Sequence, residues 1–115
     1  MIFTITGNQS FVTQLREQIE YPHSGVFNKV LVKDQVCQYT LFCLAVNTEM
    51  SEHTSTRNAT ICVIEGKGLL TLSGENIVLE PGILVFMPAN APHALKAEEN
   101  FTFLLILSKK ATDSN

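Results

Sequence analysis

From Gly25 onward the chain is written as short runs of β-branched, aromatic and aliphatic residues, each broken off by Gly, Pro, Asn or Ser. That punctuation leaves little room for helices. It suits an antiparallel sandwich or barrel, because turn residues supply the tight reversals that antiparallel neighbours need. The expected strands are the runs 26–32, 36–46, 59–64, 69–72, 77–79, 83–87, 93–97 and 101–107. The expected turns are Gly66-Lys67-Gly68, Ser73-Gly74-Glu75-Asn76, Pro81-Gly82 and the Pro-rich stretch from Pro88 to Pro92. Before Gly25 the pattern differs. Asn8-Gln9-Ser10 offers capping oxygens, and Phe11, Val12, Leu15 and Ile19 fall at helical spacing, which predicts one short helix.

A chain of 115 residues is of single-domain size and buries roughly two-thirds of its unfolded surface on folding. We expect one domain over 1–115, with a barrel over about 26–107, an N-terminal extension over 1–25 and a frayed polar tail over 108–115. With 45% hydrophobic and 17% charged residues, the chain is not disorder-prone. Its net charge of −3, with lysine and arginine scattered apart from Lys109-Lys110, leaves no basic stripe, so nucleic acid is not an expected partner. Cys37, Cys43 and Cys62 are odd in number and lie in apolar runs without the close Cys/His pairs of a zinc site. Reduced, buried thiols in a cytoplasmic protein are the expectation. The opening Met1-Ile-Phe-Thr-Ile-Thr-Gly has no basic region, and no apolar run reaches the ~18 residues of a membrane span, so neither signal peptide nor membrane anchor is expected.

The most specific stretch is Gly82-Ile-Leu-Val-Phe-Met-Pro88-Ala-Asn-Ala-Pro-His93. A turn fixed by two prolines ends on a histidine at a strand start, which gives the imidazole a set direction. Side chains alternate along a strand, so His93 and Leu95 share a face and Lys96 takes the other. Since lysine belongs in water, His93 is expected to face inward. By the same parity His53 and Ser55 share a face, as do Ile61 and Val63, while Glu52 points outward. Two inward histidines are most simply accommodated in one cavity. His23, Cys37 and Cys43 are further candidates to join it: His23 sits on a Pro/Gly-flanked loop, and the two cysteines share a parity. Glu65 is better explained by its hairpin turn than by catalysis.

These residues resemble the cupin family of double-stranded β-helix barrels. The first family motif runs Gly, five residues, His-x-His, three or four residues, Glu, six residues, Gly; here it maps to Asn47, His53, Ser55, Ala59 and Gly66, ending in Val63-Ile-Glu-Gly-Lys-Gly68. The second maps to Gly82, Pro88, Asn90, His93 and Ala97, after a spacer from Lys67 to Pro81 of the usual length. The resemblance, over about residues 36–107, implies an all-β double-stranded β-helix (cupin/jelly-roll) barrel, to which the residue pattern adds a short N-terminal helical segment. Cupin metal sites take two histidines and a glutamate from the first motif and one histidine from the second, a set suited to iron, manganese, nickel or zinc. Only His53 and His93 match; Ser55 and Ala59 stand where the other ligands would be.

The expected cavity is therefore lined by His53, Ser55, Ala59, Ile61, Val63, Met87, His93, Leu95 and Phe103, with His53 and His93 as the weak candidate metal ligands. Three functions are open: a small-molecule binding or sensing module, a metal-dependent oxygenase or isomerase with a further ligand, and a structural or interaction barrel. Because both parities of 36–46 carry apolar residues, and by analogy with the family, a homodimer is expected.

Overall fold

In the computed structural model, which describes residues 5–6 and 9–111, the alternation of apolar runs and turns becomes ten strands. They are β1 (Ile5–Thr6), β2 (Val26–Lys33), β3 (Cys37–Leu44), β4 (Glu49–His53), β5 (Asn58–Glu65), β6 (Gly68–Leu72), β7 (Glu75–Leu79), β8 (Leu84–Met87), β9 (His93–Ala97) and β10 (Phe101–Ser108). Six form one sheet in the order β1-β2-β3-β10-β5-β8, and four form the other in the order β4-β9-β6-β7. Every pairing is antiparallel except β1 against β2, which is parallel and departs from the all-antiparallel expectation. The expected tail from Ser108 lies partly beyond the described residues; within them, the Lys109 amide donates to the Val36 carbonyl at 2.8 Å.

The core lies between the two sheets and follows from alternation. On β5, Ala59, Ile61 and Val63 are buried, whereas the residues between them are only partly so. They meet Leu70, Leu79, Leu95 and Ala97 from the smaller sheet, and Leu44, Phe101 and Phe103 from the larger. Phe103 on β10 stacks on its cross-strand partner Phe42 with ring centroids 5.2 Å apart, a pairing that adds to the burial gain. Phe101 fills one end of the barrel. Its ring lies so close to Gly68 that a Cβ there would come within 2.7 Å of it, so this position has no room for a side chain. The space that remains is at the opposite end.

The turns explain where the motif residues depart from the family pattern. Gly66 has φ +84° and a Cβ on it would collide with the Asn100 backbone carbonyl, so only glycine fits. Asn47 and Asn90 stand at positions where the motifs have glycine, and they adopt φ 71° and 72°. Asparagine tolerates the left-handed region better than other non-glycine residues. Both turns are tied down as well: the Asn47 amide donates to the Ala97 carbonyl at 2.8 Å and the Asn90 amide to the Ser55 carbonyl at 2.7 Å.

The N-terminal segment corrects the sequence reading twice. Its helix is a single 3-10 turn, Leu15–Gln18, with extended backbone at Gln14 and Ile19. Val12 and Thr13 are β-branched and resist helix formation, and Val12 is 100% exposed, so it is not part of an inward stripe. Asn8, part of the expected cap, lies outside the described residues. Leu15, Ile19 and Tyr21 instead pack over Leu31, Leu41 and Cys43, forming a second apolar cluster on the outer face of the larger sheet. The Leu41/Cys43 parity of β3 is thus covered by the chain's own N-terminal segment. Exposed apolar residues lie elsewhere, among them Leu84 and Phe86 on the edge strand β8.

A polar chain fastens this segment. The Thr102 hydroxyl donates to the Tyr21 hydroxyl at 2.8 Å, which donates to Glu65 Oε2 at 2.7 Å. Arg16 meets Glu65 Oε1 and the Ile64 carbonyl, both at 3.1 Å. Burial, reinforced by the Glu65 carboxylate, pushes the Tyr21 phenol well above its ordinary range, so it stays a donor. Glu65 is an anchor for the segment. Replacing Tyr21→Phe leaves the Thr102 hydroxyl, 0% exposed, without its acceptor. The variant should lose about 1–2 kcal/mol in urea denaturation with unchanged far-ultraviolet circular dichroism, and full parental stability would contradict this anchoring role.

Candidate functional site

Glu49-Met-Ser-Glu-His53 carries one apolar residue, yet it forms β4 on the edge of the smaller sheet, paired with β9. The register runs Glu49 against Lys96, Met50 against Leu95, and then His53 against His93, with an irregularity between Met50 and His53. One extra residue on β4 at that point resets its parity. In a straight strand Met50 and His53 would face opposite ways; with the bulge both line the same cavity. On the other strand, the Pro88–Pro92 turn delivers His93 as the first residue of β9.

The two imidazoles meet edge to face, with centroids 4.2 Å apart and planes at 62°. Each ring is held by the same local contact. Nδ1 of His53 lies 2.8 Å from the Ser51 carbonyl, and Nδ1 of His93 lies 2.9 Å from the Ala91 carbonyl. A carbonyl only accepts, so each Nδ1 carries the proton and each neutral ring keeps its lone pair on Nε2. His93 is half-buried and His53 is exposed, which puts the pair at a threshold between interior and solvent.

On the inner side is an apolar cavity of about 40 Å³, lined by Phe42, Met50, Ile61, Leu70, Met87, Leu95, Phe103 and Leu105 besides the two histidines. On the outer side is an open cleft of about 450 Å³, lined by Thr54, Ser55, Thr56, Ala59 and Leu107, which shares His53, His93 and Leu105 with the inner cavity. Of the residues expected from the sequence, His53, Ile61, Met87, His93, Leu95 and Phe103 border the inner cavity. Ser55 and Ala59 border the cleft. Val63 is buried in the core, beside neither space, because the barrel is already filled towards Gly68. Phe42, Leu105 and Leu107 extend inward parities that the sequence displays. Met50 was hidden by the bulge, and Thr54 and Thr56 by their place in the loop after β4.

The other candidates lie elsewhere. His23 is exposed on the loop before β2, and Cys43 is buried under the N-terminal segment. Cys37 begins β3; burial, followed by the charge of Asp34, pushes its thiol up and away from reactive thiolate. Asp34 is held low by the Cys37 and Val36 amides and belongs to that turn. Glu52 is exposed. Among the described residues no three His, Cys, Asp or Glu side chains gather closely enough to hold a metal. Ser55 is also committed locally, its hydroxyl oxygen accepting from the Arg57 amide at 3.1 Å. Two imidazoles alone fall short of the three protein ligands usual for a catalytic first-row ion, so this donor set does not fit a four-ligand divalent site. No helix among the described residues is long and apolar enough to cross a membrane.

Comparison with known proteins agrees with this fold. A search of curated proteins finds no match. Among solved structures, a conserved protein of unknown function from Streptococcus pyogenes is 27% identical, with a TM-score of 0.82 over 97% of this chain and 98% of that one. A cupin superfamily protein from Desulfitobacterium hafniense is 24% identical, with a TM-score of 0.81 over 89% of this chain and 94% of the other. A cupin 2 conserved barrel domain protein from Leptotrichia buccalis is 32% identical over 82% of this chain and has a TM-score of 0.77, though the match spans only 46% of that protein. The family profile described as Cupin domain matches residues 40–107, which include both histidines and both motifs. With more than half of its length under that profile and this barrel built around His53 and His93, the chain belongs to the cupin family.

Proposed function

We propose that this cupin is a small-molecule binding or sensing barrel whose ligand spans the inner cavity and the outer cleft and is held by His53 and His93. One observation carries the reading: both imidazoles have Nδ1 engaged by backbone, no Nε2 partner among the described residues, and a place in the walls of both the apolar chamber and the open cleft. An apolar pocket with a few directed polar groups is how small-molecule sites are commonly built. Each Nε2 can accept a hydrogen bond from an occupant, and a neutral imidazole can also take up a proton as a general base.

The test is a ligand-observed fragment screen on the full chain, with hits checked on His93→Leu, which is close in volume and removes the acceptor. Hits that move the His53 and His93 signals and weaken at least tenfold in the variant are expected. Hits that bind both proteins equally would contradict the histidines' role.

A metal-dependent oxygenase or isomerase is a second reading, and the donor set speaks against it. Ser55 and Ala59 border the cleft beside the histidines, but a hydroxymethyl and a methyl group supply neither the missing imidazole nor the missing carboxylate. Calorimetric titration with nickel or zinc should therefore show weak binding by the parent. The double substitution Ser55→His and Ala59→Glu should raise the affinity by about 100-fold or more by completing a four-ligand set. Tight stoichiometric binding by the unmodified chain would reverse the ranking of the two readings.

A further inference from the structure

The walls of the cavity restrict the chemistry of an occupant more closely than its openness does. We infer that the site selects uncharged hydrogen-bond donors with a compact aliphatic end, alcohols or primary amides, over the carboxylates and ammonium ions of the same carbon skeleton. This rests on the proposed binding role of the same cavity. His53 and His93 border both spaces, and with each Nδ1 proton spent on a backbone carbonyl the acceptor of each neutral ring is Nε2. A group bonded to either Nε2 must donate. A hydroxyl offers one hydrogen, and a primary amide offers two hydrogens to two acceptors.

Charge is excluded on both sides. While the rings are neutral, a carboxylate placed there would face lone pairs, and among the described residues no lysine or arginine lines either space to compensate it. An ammonium could donate, but among the described residues no aspartate or glutamate lines either space to balance its charge. Stripping water from an ion without a counter-charge is costly in an apolar wall, whereas a neutral donor loses only hydrogen bonds that the imidazoles replace. The hydroxyls of Thr54, Ser55 and Thr56 in the outer cleft both donate and accept, so they add polarity without a charge preference.

Size narrows the class further. The inner cavity of about 40 Å³ is well below the ~150 Å³ of an apolar cavity that takes up benzene, so it fits a short branched chain better than an aromatic ring. Met50 and Met87 in its wall can adapt to small differences in shape.

The experiment is a titration of the full chain at pH 8 with 2-methylpropan-1-ol, isobutyramide, isobutyrate and isobutylamine, plus benzamide as a size control. It reads the imidazole carbon–proton signals of His53 and His93, assigned with His53→Gln and His93→Gln. The alcohol and isobutyramide should shift both rings with dissociation constants at least tenfold below those of the two ions, and benzamide should bind more weakly than isobutyramide. Isobutyrate or isobutylamine binding as tightly as the neutral compounds would overturn the selectivity while leaving the cavity a ligand site. Benzamide matching isobutyramide would overturn the size limit. If no compound moved either ring, the selectivity and the binding role would fall together.

Discussion

The open end of this barrel depends on how β4 pairs with β9. An edge strand with one apolar residue has little hydrophobic drive of its own, and its place is set by backbone pairing and by the turns at either end. The Asn47 amide bonds to the Ala97 carbonyl and the Ala97 amide to the Thr48 carbonyl, each at 2.8 Å, which clamps the start of β4 onto the end of β9. From that clamp the register runs to the bulge, and the bulge turns both Met50 and His53 inward. Without the extra residue, a methionine would leave the wall of the cavity or a histidine would leave its mouth. The constraint is one of backbone geometry, and the chemistry of the site follows from it.

The second layer is the pair of carbonyl contacts at Ser51 and Ala91. They resemble each other because each histidine bonds the carbonyl two residues before it, one on the bulged strand and one in the Pro88–Pro92 turn. Such contacts orient imidazoles in metal sites too, but here the neighbouring positions hold serine and alanine. The family scaffold that would present ligands to an ion instead presents two hydrogen-bond acceptors to a cavity. On the outer face of the larger sheet, Glu65, Arg16, Tyr21 and Thr102 hold the N-terminal segment in place, a structural role remote from the histidines.

The barrel was legible because its turns and its inward parities are local statements. Pro88 and Pro92 announce a strand beginning at His93, and β9 begins there. Ala59, Ile61 and Val63 alternate on β5 without interruption, and all three are buried. Asn47 and Asn90 departed from the motif letters but kept the backbone conformation that the motif requires, so the fold survived the substitutions. What stayed hidden is non-local. A bulge has no residue signature in Glu-Met-Ser-Glu-His, so neither β4 nor Met50 stood out. The face of β3 that holds Cys43 reads the same whether a second subunit or the chain's own Leu15, Ile19 and Tyr21 covers it. Helical spacing before Gly25 was misleading because it tracks apolar residues, and Val12 points into solvent.

The most direct measurement is the tautomeric state of the two imidazoles, read by long-range proton–nitrogen correlation on isotope-labelled protein at alkaline pH, where the rings are neutral. Both His53 and His93 should show a protonated Nδ1 and an unprotonated Nε2, since each Nδ1 faces a backbone carbonyl at hydrogen-bond distance. A protonated Nε2 on either ring would remove one of the two acceptors from the mouth of the cavity and contradict the site as described.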